Sequence, residues 1–207
     1  MAPPDALSEA IDQRDSIQLA LSKHLEAASK TLISFAAEME TDSGLPVLDA
    51  GCGFGRNAVA LAVRDISVVC ADRRLECLKT LARFGPKYIA DHRQCESRAG
   101  NLHPMRAELN PTNWPFRERC FAGIICVHYF NIDLFEMFST SLISEGFLYL
   151  ETFGGHGQNF RELPPAGQFR ELLSKNFQLQ FYRENKVGPI GCNAVTVRLF
   201  ARKRGPV

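Results

Sequence analysis

No stretch of this 207-residue chain approaches the roughly 20 consecutive apolar residues that a membrane-spanning helix requires, which argues against a membrane protein. The first residues, MAPPDALSEAIDQRD, carry no basic segment followed by an apolar one, so they do not read as a secretory leader. Charge of one sign is also lacking. The formal net charge is +1, too small for a broad nucleic-acid footprint, and the basic end ARKRGPV is short enough to read as a solvated terminus. There is no internal repeat, no low-complexity run and no C-x-x-C pair. The seven cysteines are an odd number, scattered mostly within apolar runs, which fits reduced, buried thiols in a cytoplasmic protein better than a disulfide framework. HRQC (His92 to Cys95) and CVH (Cys126 to His128) have the look of half-sites for zinc, but neither has a second half, so no metal is expected.

What is present is an ordinary globular composition, 45% hydrophobic and 23% charged, long enough for a sizeable core. Ile17, Leu21, Leu25, Ala28, Leu32, Phe35 and Met39 recur at steps of three or four. This spacing predicts one amphipathic helix over 16–40, with Asp15 or Ser16 as its cap and His24 beside the apolar stripe. Residues 1–44 are therefore expected to form an N-terminal helical arm. Its stripe is suited either to cover a pocket or to meet another subunit, as in a homodimer. TDSGLP then breaks the helix.

From Pro46 the rhythm changes to short apolar strands alternating with helices. Strands are expected at PVLDA, ISVVCAD, PMRAEL, FAGIICVHYF and GFLYLETF. Helices are expected at 56–64, 73–84, 133–142 and 167–175, and the stretch 85–101 gives no clear pattern. Uninterrupted runs such as GIICV indicate strands buried on both faces of a parallel sheet lying between helices. Only NKVGPIGCN separates the last two strands, near 177–184 and 194–201. That is too short for a helical crossover, so they should pair antiparallel.

The segment VLDAGCGFGRNAVALA places Gly51, Gly53 and Gly55 between the first strand and a helix, where ligands sit in an open α/β sheet. No Gly-Lys-Ser/Thr follows, so this is not a phosphate-binding P-loop. Arg56 stands where a dinucleotide fingerprint would have a third glycine. Taken alone, the loop could equally be a tight turn. Its neighbours narrow the choice. Asp49 ends the first strand, where a carboxylate would repel phosphate and suit an ammonium group. Asp72 ends the second, where an acidic side chain can accept both ribose hydroxyls. Glu108 closes the third and can accept an adenine amino proton. A ligand with an ammonium, a ribose and an adenine but no phosphate is S-adenosyl-L-methionine (SAM), which leaves S-adenosyl-L-homocysteine (SAH) after giving up its methyl.

LDAGCGFGRN, VVCADRR, RAEL, WPF, GIICVHYF and GFLYLETFGGHGQN, in this order, resemble the motifs of class I SAM-dependent methyltransferases. The Gly-Arg-Asn after the glycine loop and the Glu-Thr-Phe after the fifth strand are similar to a small bacterial branch related to tellurite-resistance methyltransferases. The resemblance covers Leu45 to Lys203. It implies a Rossmann-like methyltransferase domain over 45–207, with a seven-stranded, mostly parallel sheet whose last strand is antiparallel. It also implies that Asp49 and the Gly51-Cys52-Gly53 backbone hold the methionine part of SAM, with Ala50 and Asn57 beside them. Asp72 would hold the ribose, and Arg73, Glu108 and Leu109 would flank the adenine. Val127 and His128 would line the donor end. Ala122 and Glu108 depart from the family's pattern, in which acidic residues, commonly Asp at the second position, are usual.

The expected reaction is transfer of the SAM methyl to a small-molecule acceptor. The chain then has to align the nucleophile and, where needed, take its proton. His128, Tyr129 and His156 are the catalytic candidates, with Glu151 and Asn159 nearby. Tyr129 can hydrogen-bond substrate or simply pack. Glu151 can face the site or satisfy loop amides. His156, among Gly154, Gly155 and Gly157, can belong to a lid or to a plain surface loop. With 15 phenylalanines and one tryptophan, Trp114, an apolar acceptor pocket is available, while O, N, S, C and metalloid acceptors all stay open. The alternatives are methylation of RNA or protein, against which the weak charge counts, and a non-catalytic SAM-binding regulatory or partner subunit. For the cysteines the expected outcome is seven free thiols on alkylation after unfolding without reductant. A stoichiometric disulfide or bound zinc in fresh protein would contradict it.

Overall fold

In the computed structural model, the described residues are 27–39, 43–92, 100–129, 131–153 and 160–205. His24, Cys95, His156 and Asn159 lie outside them, as does the proposed helical arm up to residue 26. The described part of that arm departs from a single continuous helix. Ser29 is non-helical and caps a short helix α1 (Lys30–Ser34), its hydroxyl accepting from Leu32 N–H. A 3-10 turn follows at Ala37–Met39. The helical period is overridden because the Ser29 N–H and hydroxyl have tertiary partners, the Asn57 amide oxygen at 3.0 Å and the Glu151 carboxylate at 2.5 Å. The last apolar positions of the stripe pack inward. Leu32 and Met39 are buried, and Phe35 stacks on Phe200 with ring centroids 4.8 Å apart.

Beyond it, strands and helices alternate: β1 (Val47–Ala50), α2 (Arg56–Ala62), β2 (Val68–Asp72), α3 (Leu75–His92), β3 (Leu102–Arg106), β4 (Phe121–Val127), α4 (Phe135–Ser141), β5 (Leu142–Glu151), α5 (Gln168–Leu173), β6 (Phe177–Lys186) and β7 (Val195–Lys203). The strands form one seven-stranded sheet in the order β3-β2-β1-β4-β5-β7-β6. β7 runs antiparallel to both neighbours and the other pairings are parallel. The expected mostly parallel sheet with an antiparallel last strand is therefore present.

Alternate residues of each central strand serve two cores. Val47, Ile125, Val127, Phe147 and Tyr149 pack with α1, α2 and α3 on one face. Leu48, Ala50, Ile124, Cys126, Leu148 and Leu150 pack with α4 and α5 on the other. At Gly123 the missing side chain makes room for its cross-strand partner Phe147, whose ring carbon would stand 2.1 Å from an added Cβ.

Two local readings need correction. The second helix does not end at 84 but runs to His92 with Pro86 inside it. Gly85 is what holds the helix against the sheet, since a Cβ there would come within 2.7 Å of Leu102. Tertiary packing thus carries the helix across a Gly-Pro pair that would otherwise end it. The third strand lies two residues earlier than PMRAEL, and Glu108 falls in the loop after it. Pro104 is tolerated there because β3 is an edge strand, where a missing N–H costs no ladder bond. Among the described residues no helix is long and apolar enough to cross a membrane.

Gly123→Ala should destabilise the chain by about 1–3 kcal/mol through overpacking, read as the urea unfolding midpoint. In a Phe147→Leu background the same substitution should cost much less. An equal penalty in both backgrounds would show that the ring contact is not the constraint.

Candidate active site

The strand order reverses between β1 and β4, and ligands bind in the crevice beyond the carboxyl ends of strands at such a switch point. A cleft of about 500 Å³ opens there. It is lined by seven residues singled out from the sequence, Gly51, Asp72, Arg73, Glu108, Leu109, His128 and Tyr129, together with Ala71, Arg74, Ala107, Asn110 and Asn131. The first seven come from the ends of β1, β2, β3 and β4, and parallel pairing brings those ends to one edge.

Gly51 is the close-approach glycine. Its φ is +74°, and an added Cβ would meet Tyr129 Cγ at 2.7 Å, so the tyrosine ring lies directly over the loop. The Tyr129 hydroxyl donates to the Leu109 carbonyl at 3.2 Å. The ring therefore spans the cleft from the glycine loop to the loop after β3.

Asp72 is heavily engaged. One oxygen accepts from Gly53 N–H at 2.8 Å. The other accepts from Arg74 N–H at 2.8 Å and Arg74 Nε at 3.2 Å. Burial works against its ionisation, but the hydrogen bonds and charge of Arg74 and the Gly53 N–H outweigh it, and the carboxyl sits below its ordinary range. Arg73 stands 4.0 Å from Glu108, both well exposed.

The remaining expected cofactor residues lie beneath or behind the cleft. Asp49, Ala50, Cys52 and Val127 are buried, and Gly53 turns its N–H to Asp72. Asn57 uses its side-chain oxygen to hold Ser29. The neighbouring Cys70 thiol and burial keep the Cys52 thiol protonated. Asp49 is the exceptional group. It is 2% exposed, and its Oδ2 has no hydrogen-bond partner among the described residues. Desolvation pushes its pKa to about 7, against the Ala58 N–H and the charge of Arg56, which pull it down.

A second polar cluster was only partly visible in the sequence. Glu151 ends β5, opposite Arg198 of β7 and Val127 of β4. Its Oε2 accepts from Ser29 Oγ at 2.5 Å and Tyr149 OH at 2.8 Å, and Arg198 Nε is 3.0 Å from Oε1. Burial opposes its charge, yet the neighbouring His128, Ser29 and Tyr149 groups and the charge of Arg198 bring its pKa down to about 2. His128 follows β4 in a left-handed conformation, φ +59°, with its N–H bonded to the Glu151 carbonyl. Its Nδ1 is 3.2 Å from Arg56 Nη2. Arginine has only donors, so in the neutral ring Nδ1 accepts and the proton sits on Nε2, which faces Glu151 Oε1 at 3.8 Å. The Phe153 ring stacks on the imidazole, centroids 5.9 Å apart.

Arg74, Ser29, Tyr149 and Arg198 were not anticipated. The Asp72-Arg73-Arg74 spacing was the available signal for Arg74, since a residue two places on can fold back onto a carboxylate. The others meet Glu151 from distant parts of the chain. No group of three or more His, Cys, Asp or Glu side chains arranged to hold a metal occurs among the described residues.

No protein-family model matches the chain, and no curated protein matches it in sequence. Its fold is widely shared. TehB from Haemophilus influenzae superposes with a TM-score of 0.64 at 16% identity over 86% of this chain, which spans 63% of the TehB chain. A SAM-dependent methyltransferase from Methanosarcina mazei gives 0.54 at 15% identity, covering 81% of this chain and 96% of that one. The cyclase SpnF gives 0.59 at 15% identity over 84% and 80%. The chain therefore has the Rossmann-like fold of class I SAM-dependent methyltransferases, a fold that also carries a cyclase.

The orphaned carboxylate yields a test. With a folded pKa near 7 against an unfolded value near 3.9, the folded protein binds more protons than the unfolded one between these limits. Asp49 therefore weighs on stability increasingly as pH rises through that window. The stability of Asp49→Asn relative to wild type should rise between pH 5 and pH 8, by about 2–3 kcal/mol in denaturant unfolding. A difference that does not change with pH would remove Asp49 as the titrating group.

Proposed function

We propose that the chain is a SAM-dependent methyltransferase acting on a small-molecule acceptor. The observation that carries this reading is the charge pattern of the cleft. Its two arginines are each matched by a carboxylate, Arg74 by Asp72 and Arg73 by Glu108, so no surplus positive charge invites a phosphate. Beneath its floor lies the buried Asp49 carboxylate, one oxygen of which has no hydrogen-bond partner among the described residues, which favours a cationic group above it. A nucleoside with a cationic end and no phosphate meets both conditions, and the cleft volume suits a ligand of that size.

In this reading Asp72 accepts the ribose hydroxyls, with Arg74 moving aside or sharing the carboxylate. Glu108 and Leu109 flank the adenine edge beside Arg73. The Gly51 backbone floors the amino-acid end, and Asp49 stabilises its positive charge from below. SAM, when bound, supplies a methyl already activated by its sulfonium, so the chain's own task is alignment and proton handling. His128 stands at the donor end, held between Arg56 and Glu151. It acts there first as an oriented wall of the site, and releasing Nδ1 from Arg56 would free a basic nitrogen. Tyr129 shapes the cleft with its ring, its proton being committed to Leu109. The His128–Phe153 stack offers an aromatic edge suited to a small, partly apolar acceptor. His156 stays a candidate contact outside the described residues.

Calorimetry should detect SAH binding, and Asp72→Ala should weaken it by about 1.5–3 kcal/mol, the range for hydrogen bonds to a charged group. Equal binding by wild type and variant would remove the ribose assignment. Labelled SAM incubated with a metabolite extract should yield a methylated product resolvable by mass.

A further inference from the structure

In the register of β6 and β7, Arg183 stands directly opposite Arg198. Cross-strand partners leave the sheet on the same face with Cβ atoms about 5 Å apart, and like charges so placed destabilise the strand pair. Only one of these two cations is compensated. Arg198 lies opposite Glu151 on its other side, and its Nε is 3.0 Å from Glu151 Oε1. Arg183 is exposed and takes part in no ion pair among the described residues. The neighbouring carboxylate in the chain, Glu184, turns to the opposite face, where the Gly167 N–H and the Tyr182 hydroxyl donate to it. β6 is an edge strand, and one exposed charge protects such an edge from pairing with another chain. A second cation facing it adds repulsion without adding protection. The row of side chains behind the arginines is apolar and covered, since Phe35 packs on Phe200 and Phe181 with ring centroids 4.8 and 5.3 Å away. The arginine row is open by comparison, with 39% of the Arg198 side chain exposed.

This row continues the wall of the cleft. Arg198 Nε and His128 Nε2 approach the same oxygen, Glu151 Oε1, at 3.0 and 3.8 Å, and His128 lines the cleft. We propose that Arg183 and Arg198 together hold a carboxylate carried by the acceptor. Two guanidinium groups set against the single charge of Glu151 leave one positive charge, which one carboxylate matches. A phosphate dianion would exceed it and be repelled by Glu151. β6 lies two strands from β5, about 10 Å away, so the pair grips the acceptor at a distance from the atom that takes the methyl and acts as a specificity handle. The Phe153 ring stacked on His128 adds an apolar surface for the body of such a molecule. The word acceptor rests on the methyltransferase reading above, whereas the anion site stands on the register and the ion pairs.

The test titrates benzoate and its neutral isostere benzamide into the SAH-loaded protein, followed by ligand-observed NMR, on wild type, Arg183→Gln and Arg183→Lys. Benzoate should bind wild type at least roughly 10-fold more tightly than benzamide, and Arg183→Gln should lose about 10-fold or more of the benzoate affinity. Arg183→Lys should keep part of it. The urea midpoint of Arg183→Gln should equal or exceed that of wild type, because a like-charge contact is relieved, and this also reports an intact fold. Equal benzoate affinity in wild type and Arg183→Gln overturns the inference, as does benzoate binding no better than benzamide. Phenyl phosphate binding more tightly than benzoate overturns the choice of a carboxylate. If SAH does not bind wild type, the cofactor reading fails instead, and the same benzoate titrations on nucleoside-free protein still decide for or against the anion site.

Discussion

A buried carboxylate is tolerable only where the fold surrounds it with donors, and the His128 side of the cleft is organised around one such group. Glu151 is fully ionised at neutral pH because Ser29, Tyr149 and Arg198 direct protons at its two oxygens. Those partners come from the segment before α1, from β5 and from β7. The Glu151 backbone carbonyl holds His128 at the end of β4. One residue thereby ties the N-terminal segment, the antiparallel strand and the cleft wall into a single unit. The sheet register makes this possible by setting Glu151 opposite both Arg198 and Val127.

Asp49 is the counterpart on the same face of the sheet. It is buried to a similar degree as Glu151, yet its pKa moves the opposite way, to about 7 rather than about 2. The difference lies in donors. Glu151 has a full set within the chain, whereas Asp49 Oδ2 has none among the described residues. Destabilised charge of this kind is characteristic of sites whose partner is a ligand. The division fits the proposed function: Glu151 holds the architecture, while Asp49 keeps unmet electrostatic capacity under the glycine loop.

Much of the fold was legible because buried parallel strands and their helices leave strong periodic signals. The strands around Val47, Val68, Phe121 and Phe147 are where the apolar runs place them. The failures have local causes. The helix 75–92 crosses Gly85-Pro86 because Gly85 packs against Leu102, a tertiary contact without a local signal. The break at Ser29 arises because Glu151 and Asn57 offer its polar groups better partners than a continuing helix does.

The alternation of strands and helices, the antiparallel last pairing and the gathering of Gly51, Asp72, Glu108, His128 and Tyr129 near the strand ends were legible in the sequence, whereas the order of the strands came from the structure. Hydrophobic period, connection length and strand-end position specify the first three whatever the side-chain packing. Which of those residues remain free for a ligand was decided only in three dimensions. Asp72 proved to be bound by Arg74, Asn57 by Ser29, and the Tyr129 hydroxyl by Leu109, while Asp49 proved the least satisfied. Hydrogen-bond saturation depends on distances between residues far apart in the chain, and no spacing along a strand or helix encodes it.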